Sequence, residues 1–143
     1  MSKRHPELFA VDILVAIDKI ERYSEDFVDA QEFYHDEKSF DATMRELQII
    51  GEAAKHLINA SILDSSHRII VDFRNLIVHE YFGVDAEEIW EIVREELPIF
   101  KKTVLEICSQ FDRELMSEIL EDAIETAVGK SRKFLKELKT GLG

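Results

Sequence analysis

The strongest constraint on the fold is the spacing of the apolar residues, which recur every three or four positions along most of the chain. A period of 3.6 residues places apolar side chains on one face of an α-helix. Only two prolines and five glycines interrupt the 143 residues, so few positions force a helix to end. The sequence therefore predicts an all-α protein, an up-and-down bundle of four to five helices.

Five amphipathic segments follow this period. They cover residues 7–23, 39–59, 67–81, 85–108 and 112–138. The polar connector 24–39 has room for one short helical turn. Asp85 has N-cap chemistry at the start of the fourth segment, and Pro98 is expected to kink that helix. The fifth segment aligns Leu120, Val128 and Leu138 and is expected to be a single helix.

The length and the hydrophobic content of 45% are sufficient for one domain with its own core. We divide the chain into a helical-bundle domain over residues 1–108 and a C-terminal helical extension over residues 109–143. The extension is expected to pack on the bundle or on a dimer.

Gly51 lies inside the second helical segment. A glycine in a helix interior costs about 1 kcal/mol relative to alanine. Its presence favours a close approach of another backbone or of a ligand at this position.

The net charge is -12 at pH 7 and is unevenly spread. Residues 1–108 hold 23 acids and 12 bases, whereas residues 109–143 hold seven acids and six bases. An acidic surface repels phosphates, so nucleic acid is expected to bind only through a local basic pocket. Five basic residues near the C-terminus are interpreted as balancing a helix C-terminus, with RNA binding as the alternative. They are Lys130, Arg132, Lys133, Lys136 and Lys139.

The compartment is predicted from cysteine usage and from hydropathy. Cys108 is the one cysteine and sits in the apolar stretch VLEICSQF, which is typical of a small core residue rather than a nucleophile. No run approaches the roughly 18 apolar residues of a membrane span, and MSKRHPELFA lacks a signal-peptide apolar region. These features predict a cytoplasmic protein without a membrane segment.

A polar cluster stands out in the third segment, where RNLIVHEY carries Arg74, Asn75, His79 and Tyr81. On a helix, Asn75 and His79 lie one turn apart, whereas Arg74 and His79 are separated by about 140°. Arg74 must therefore reach round the helix. This geometry suggests a target at the helix edge, against a second helix from another subunit.

These residue types suit phosphate chemistry. An arginine donates paired hydrogen bonds to phosphate, and a histidine exchanges a proton near neutral pH. In RNA the 2′-hydroxyl is a built-in nucleophile, so a base and a cation are sufficient for cleavage without a metal. The cluster therefore indicates an RNA-cleaving site that spares DNA.

Arg74-x4-His79-x-Tyr81 resembles the RX4HXY signature of the HEPN superfamily, specifically the HepT-like ribonuclease toxins paired with MNT-type minimal nucleotidyltransferase antitoxins. Four blocks of the sequence resemble that family in the same order, over about residues 9–107. They are DILVAIDKIERY, RELQIIGEAAKHL, FRNLIVHEYFGVD and IWEIVREELP. The resemblance implies a HEPN-like bundle over the first domain, whereas residues 109–143 depart from the compact form of the family.

The resemblance also implies roles for the four residues. Arg74 and His79 would line a cleft between the subunits of a homodimer and act in metal-independent RNA cleavage, with no cofactor. Asn75 would help to arrange the site. Tyr81 would be modified with AMP by the partner nucleotidyltransferase, which silences the toxin in a type VII-like toxin-antitoxin system.

Structural interpretations of the same residues stand beside these roles. Arg74 fits an interhelical ion pair, and Asn75 fits a hydrogen bond to His79. His79 and Tyr81 each fit a core or interface position. On this interpretation the protein is a non-catalytic helical module that binds a nucleotide or the partner nucleotidyltransferase.

A second polar pair lies in the second helical segment. Glu52 and His56 are one turn apart and offer two metal ligands or a surface ion pair. No third ligand stands at a readable spacing, which favours the ion pair.

Overall fold

The computed structural model describes residues 5–67, 69, 70, 72 and 85–142. These residues form helices and, within the described ranges, no β-strand. The helices are α1 (Pro6–Ser24), α2 (Ala30–His35), α3 (Glu37–Asn59), α4 (Ala86–Glu91), the π-helical segment Ile92–Glu96, α5 (Leu97–Gln110), α6 (Arg113–Thr126) and α7 (Gly129–Leu142). The prediction of an all-α helical bundle is confirmed.

Helix α1 lies at the centre of the bundle. It packs chiefly against α3 and also against α5, α6 and α7. The apolar residues that follow the helical period in the first predicted segment are buried, as expected; they are Val11, Leu14, Ile17 and Ile20. Full burial of each large aliphatic side chain contributes about 1.5–3 kcal/mol. This stripe therefore supplies a large share of the driving force that gathers the other helices round α1.

The connector between the first two predicted segments contains α2, which carries an aromatic hub. Phe33 is fully buried, and its ring centroid lies 5.5 Å from those of Phe27, Phe40 and Trp90. The carboxylate of Asp29 accepts a hydrogen bond from the backbone N–H of Glu32 at 2.8 Å and so caps the N-terminus of α2. The hub joins α2 to α3 and α4, so even this short helix is part of the core.

The disturbance expected at Pro98 takes the form of the π-helical segment. The N–H of Leu97 donates to the carbonyl of Ile92, five residues earlier. Pro98 has no N–H, and its ring crowds the carbonyl four residues before it. The wider turn directly before Pro98 accommodates that crowding, and the helix then continues as α5.

Arg94, within the π-helical segment, ties this part of the chain to the end of α1. Its guanidinium donates to the backbone carbonyls of Ser24 and Phe27, both at 2.7 Å, and lies 4.3 Å from the centre of the Trp90 ring. A cation that satisfies carbonyls at a helix C-terminus stabilises that end of the helix. Arg94 therefore links the π-helical segment to the C-terminal end of α1 and to the connection between α1 and α2.

The predicted single helix through to Leu138 is wrong, because the chain turns between α6 and α7. Ala127 has an extended backbone, and Gly129 has φ +56°, a conformation that glycine adopts without steric cost. Val128, expected on the apolar stripe, is 80% exposed at the turn. Helix α7 then folds back so that Leu135 and Leu138 reach the core.

The C-terminal extension packs on the bundle. Met116, Ile119 and Leu120 of α6 are buried in the same apolar cluster as the residues of α1 and α3. Both α6 and α7 contact α1. The division of the chain at residue 108 stays a prediction.

The close approach expected at Gly51 is not made within the described part of this chain. A Cβ atom built there would meet no atom of a described neighbour within 4 Å. Among the described residues nothing covers this side of α3, so their packing does not explain why a glycine is kept there.

Candidate active site and its surroundings

The four residues of the predicted site lie outside the described residues. Arg74, Asn75, His79 and Tyr81 all fall in the interval 73–84. Their proposed roles therefore stay predictions. The described residues on either side of this interval show how the chain reaches it and leaves it.

The chain reaches the interval through a hydrogen-bonded turn. The backbone N–H and the hydroxyl of Ser66 both donate to the carboxylate of Asp64 at 2.9 Å, and these two bonds hold the pKa of Asp64 below its ordinary value. The N–H of Ile70 donates to the carbonyl of His67 at 2.9 Å, and Ile69 and Ile70 are buried.

The chain leaves the interval at a capped helix. The carboxylate of Asp85 accepts the N–H groups of Glu87 and Glu88 at 3.0 and 3.3 Å, which confirms the predicted N-cap. Ile89 and Ile92 follow and are fully buried. The interval 73–84 is thus joined at both ends to residues that are held in the core.

A histidine next to the interval carried no signal in the sequence. The ring of His67 packs edge-on against Phe100, with the centroids 5.4 Å apart. Its Nδ1 atom is buried and has no hydrogen-bond partner among the described residues. Periodicity alone did not indicate this position, because His67 stands at the edge of the third predicted segment and is not an apolar residue.

Two polar residues of α3 are also buried. Thr43 is fully buried and Glu46 is 6% exposed. The Thr43 hydroxyl has no hydrogen-bond partner in the described part of the chain. Thr43 lies at the same helical spacing as Phe40, Leu47 and Ile50. Its position on the apolar face of α3 therefore accounts for its burial, although threonine is a polar residue.

The pair on the exposed side of α3 forms the predicted surface contact. The Nε2 atom of His56 lies 3.7 Å from a carboxylate oxygen of Glu52, which is an ion pair when the histidine is protonated. The His56 ring also stacks on Phe9, with centroids 4.2 Å apart and planes 8° from parallel. Within the described ranges, no group of three or more His, Cys, Asp or Glu residues is arranged to hold a metal ion.

Cys108 is buried at 3% exposure, as predicted for a core residue. Burial, with a smaller contribution from the negative charge of Glu7, raises the pKa of its thiol to about 12. The reactive thiolate is therefore almost absent at neutral pH. We expect no alkylation of the folded protein by iodoacetamide at pH 8, measured by intact mass, and full alkylation in denaturant.

A second consequence concerns stability at high pH. The folded pKa of Cys108 lies above the ordinary value of 9.0, so the thiol of the unfolded chain loses its proton first as the pH rises. The free energy of unfolding should therefore decrease between about pH 9 and pH 12, and less so in Cys108→Ala. Rapid alkylation of the folded chain at pH 8 would contradict this account.

Every helix within the described ranges is too short or too polar to cross a membrane.

Comparison with known proteins identifies the family. The family model described as "Ribonuclease HepT-like" matches residues 13–107. The chain is 35% identical over 107 residues to a "Putative RNase" of Methanocaldococcus jannaschii, covering 73% of this chain and 97% of the relative. It is 33% identical over 102 residues to a "Probable ribonuclease HepT" of Thermococcus cleftensis, covering 69% and 92%.

A third relative is a "Putative RNase" of Caldanaerobacter subterraneus, 38% identical over 80 residues, which cover 54% of this chain and 71% of the relative. No solved structure matches the chain significantly. The matched region contains the Arg74-x4-His79-x-Tyr81 motif and ends before α6. The chain therefore belongs to the HepT-like ribonuclease family of the HEPN superfamily.

Proposed function

We propose that this protein is a metal-independent endoribonuclease that acts in the cytoplasm as the toxin of a type VII-like toxin-antitoxin pair. The single observation that carries the proposal is the complete Arg74-x4-His79-x-Tyr81 motif inside the region matched by the family model. Two of the relatives that the chain resembles are named as ribonucleases.

The two charged residues of the motif supply the chemistry. The imidazole of His79 removes the proton from the RNA 2′-hydroxyl, and the 2′-oxygen attacks the adjacent phosphorus. The bond to the 5′-oxygen breaks, that oxygen takes up a proton, and a 2′,3′-cyclic phosphate forms. Arg74 donates to the phosphate oxygens on which negative charge develops. Neither step requires a metal.

The other two residues of the motif arrange and regulate the site. Asn75, beside Arg74, orients the groups of the site. The phenol oxygen of Tyr81 accepts AMP from the partner nucleotidyltransferase, with release of pyrophosphate from ATP. The bulky anionic group then occupies the region of Arg74 and His79 and repels RNA.

Cleavage of single-stranded RNA by the purified chain in excess chelator tests the proposal. We expect products that end in a 2′,3′-cyclic phosphate or its opened form, identified by mass spectrometry. Single-stranded DNA of the same sequence is the control and should stay intact. Cleavage that occurs only after a divalent metal is added would contradict the mechanism.

A second candidate function is favoured by the net charge of -12. Such a surface disfavours RNA and fits a non-catalytic module that binds a nucleotide or the partner nucleotidyltransferase. Binding of the partner or of a nucleotide without any RNA cleavage would select this alternative.

We further propose a homodimer or an even-numbered assembly with the motif in a shared cleft. On a regular helix Arg74 and His79 would diverge by about 140°, which would make a complete site from one copy difficult. The side of α3 at Gly51, which no described residue covers, offers a place where a second backbone can approach. Light scattering at micromolar concentration should give twice the mass of one chain or an even multiple of it.

A pair of matched variants locates the contact. Gly51→Gln places a side chain on that side of α3 and should reduce the dimer fraction. Gly141 in α7 is also helical and also has no neighbour within 4 Å of a built Cβ among the described residues, so Gly141→Gln should leave the dimer unchanged. A wild-type monomer, or equal behaviour of the two variants, would count against this arrangement.

A further inference from the structure

The outer side of α7 carries four cations that make no ion pair within the described part of the chain. Lys130, Arg132, Lys133 and Lys136 are exposed, and none forms an ion pair with a described residue. Lys139 differs, because its Nζ atom lies 2.6 Å from a carboxylate oxygen of Glu121 on α6. We call the first four residues the basic face of α7.

Helix stability does not explain the basic face. The chain turns at Gly129, so Lys130, Arg132 and Lys133 lie within the first five residues of α7 and not near a helix C-terminus. Cations are unfavourable at the N-terminal end of the helix dipole. The spacings of three and four residues also bring like charges together, which destabilises a helix. Of the five basic residues, only Lys139 lies in the last turn of α7, where a cation balances the helix C-terminus.

The basic face is held in a fixed direction. Leu135 and Leu138, on the other side of α7, are buried in the core. The Ser131 hydroxyl accepts a hydrogen bond from the guanidinium of Arg22 on α1 at 3.2 Å. The packing of α7 therefore leaves the four cations of the basic face directed to solvent.

The local charge is opposite to that of the whole chain. Residues 129–143 contain five bases and one acid, whereas the complete chain has a net charge of -12. Lys130 and Lys136 are about 9 Å apart along the helix axis, a length that spans more than one phosphate at about 3.4 Å per nucleotide in a duplex strand. The basic face of α7 therefore attracts a polyanion, although the protein as a whole is acidic.

We propose that the basic face of α7 binds the phosphate backbone of single-stranded RNA and holds the substrate of the nuclease. The inference rests on the proposed ribonuclease function. It adds a binding surface in the C-terminal extension, outside residues 13–107 that the family model matches. Contacts of this kind are independent of base sequence, so the surface would set affinity and not cleavage specificity.

Equilibrium binding in the His79→Ala background separates binding from cleavage. The ligand is a short fluorescent single-stranded RNA, measured by anisotropy from about 50 mM to about 200 mM salt. The test variant is Lys130→Gln/Lys133→Gln/Lys136→Gln. The control is Lys38→Gln/Arg45→Gln/Lys102→Gln, which removes three exposed cations elsewhere and changes the net charge equally.

We expect the α7 variant to bind RNA about tenfold more weakly or worse at the lowest salt. Its plot of log affinity against log salt should be shallower by about 2, from about 0.7 per lost phosphate contact. The control should differ little from the parent. Circular dichroism should show unchanged helix content in both variants, because neither removes a buried group.

Three outcomes overturn the inference: no RNA binding by the parent, equal losses in test and control, or an unchanged salt slope. A change of oligomeric state in the α7 variant alone, with RNA affinity unchanged, would also overturn it and assign the basic face to a second copy of this chain. A separate measurement tests the proposed catalytic function. If that function is wrong, the His79→Ala chain cuts RNA as the wild type does, and this result does not depend on how tightly the α7 variant binds RNA.

Discussion

Replacing His79 by alanine is expected to lower the rate of RNA cleavage about 10²- to 10⁴-fold, the range that general-base assistance contributes. The imidazole is the group proposed to take the proton of the 2′-hydroxyl, and alanine has no proton acceptor. The measurement is the initial rate on labelled single-stranded RNA in excess chelator. The helix content and the assembly mass of the variant should match those of the wild type.

Arg74→Ala should give a loss of about 10²-fold or more, because one donor to the developing charge is removed. Arg74→Lys tests the geometry of that donor. Lysine keeps the positive charge but not the paired N–H groups, so we expect it to restore only part of the rate. Cleavage that persists in both Arg74→Ala and His79→Ala would remove these residues from the mechanism.

Tyr81→Phe is expected to keep RNA cleavage and to escape silencing by the partner nucleotidyltransferase. Phenylalanine preserves the ring but lacks the oxygen that would accept AMP. In cells that carry both genes, this variant should therefore be more toxic than the wild type. The intact mass of the wild type after co-expression should increase by the mass of one or more AMP groups, and that of Tyr81→Phe should not.

Tyr34 provides the matched control for this experiment. The chain has three tyrosines, and the Tyr34 side chain is exposed and lies outside the motif. Tyr34→Phe should be modified and silenced like the wild type. AMP found on Tyr34 or another residue would contradict the proposal, and a loss of stability in Tyr81→Phe without a changed response to the partner would assign Tyr81 a structural role.

Local sequence patterns were sufficient for the parts of the fold that depend on neighbouring residues. The stripe of α1 and the cap of α4 at Asp85 could be predicted, because helix periodicity and capping need only a few adjacent positions. The burial of Cys108 also followed from its apolar neighbours. The motif from Arg74 to Tyr81 could be recognised from its spacing, and its geometry lies outside the described residues.

Other features depended on contacts between residues that are distant in the chain. The turn between α6 and α7 was missed because the apolar period continues through Val128. The packing of α7 back onto α6 and α1 favours the conformation of Gly129. The same turn moved Lys130, Arg132 and Lys133 from the expected end of a helix to the beginning of one. The tertiary structure therefore changed the interpretation of these three cations, from residues that balance a helix C-terminus to part of the basic face of α7.

The sequence by itself determined the helical class, the positions of most helices and the family, because these reside in short-range periodicity and in residue identity. The tertiary structure decided which polar groups are buried, such as Thr43 and the Nδ1 atom of His67. It also decided which cations of α7 are exposed without an ion pair to a described residue. Burial and ion pairing depend on what a neighbouring helix places opposite each side chain. The residues that face each other in this way are far apart in the chain, so a local sequence pattern does not predict burial or ion pairing.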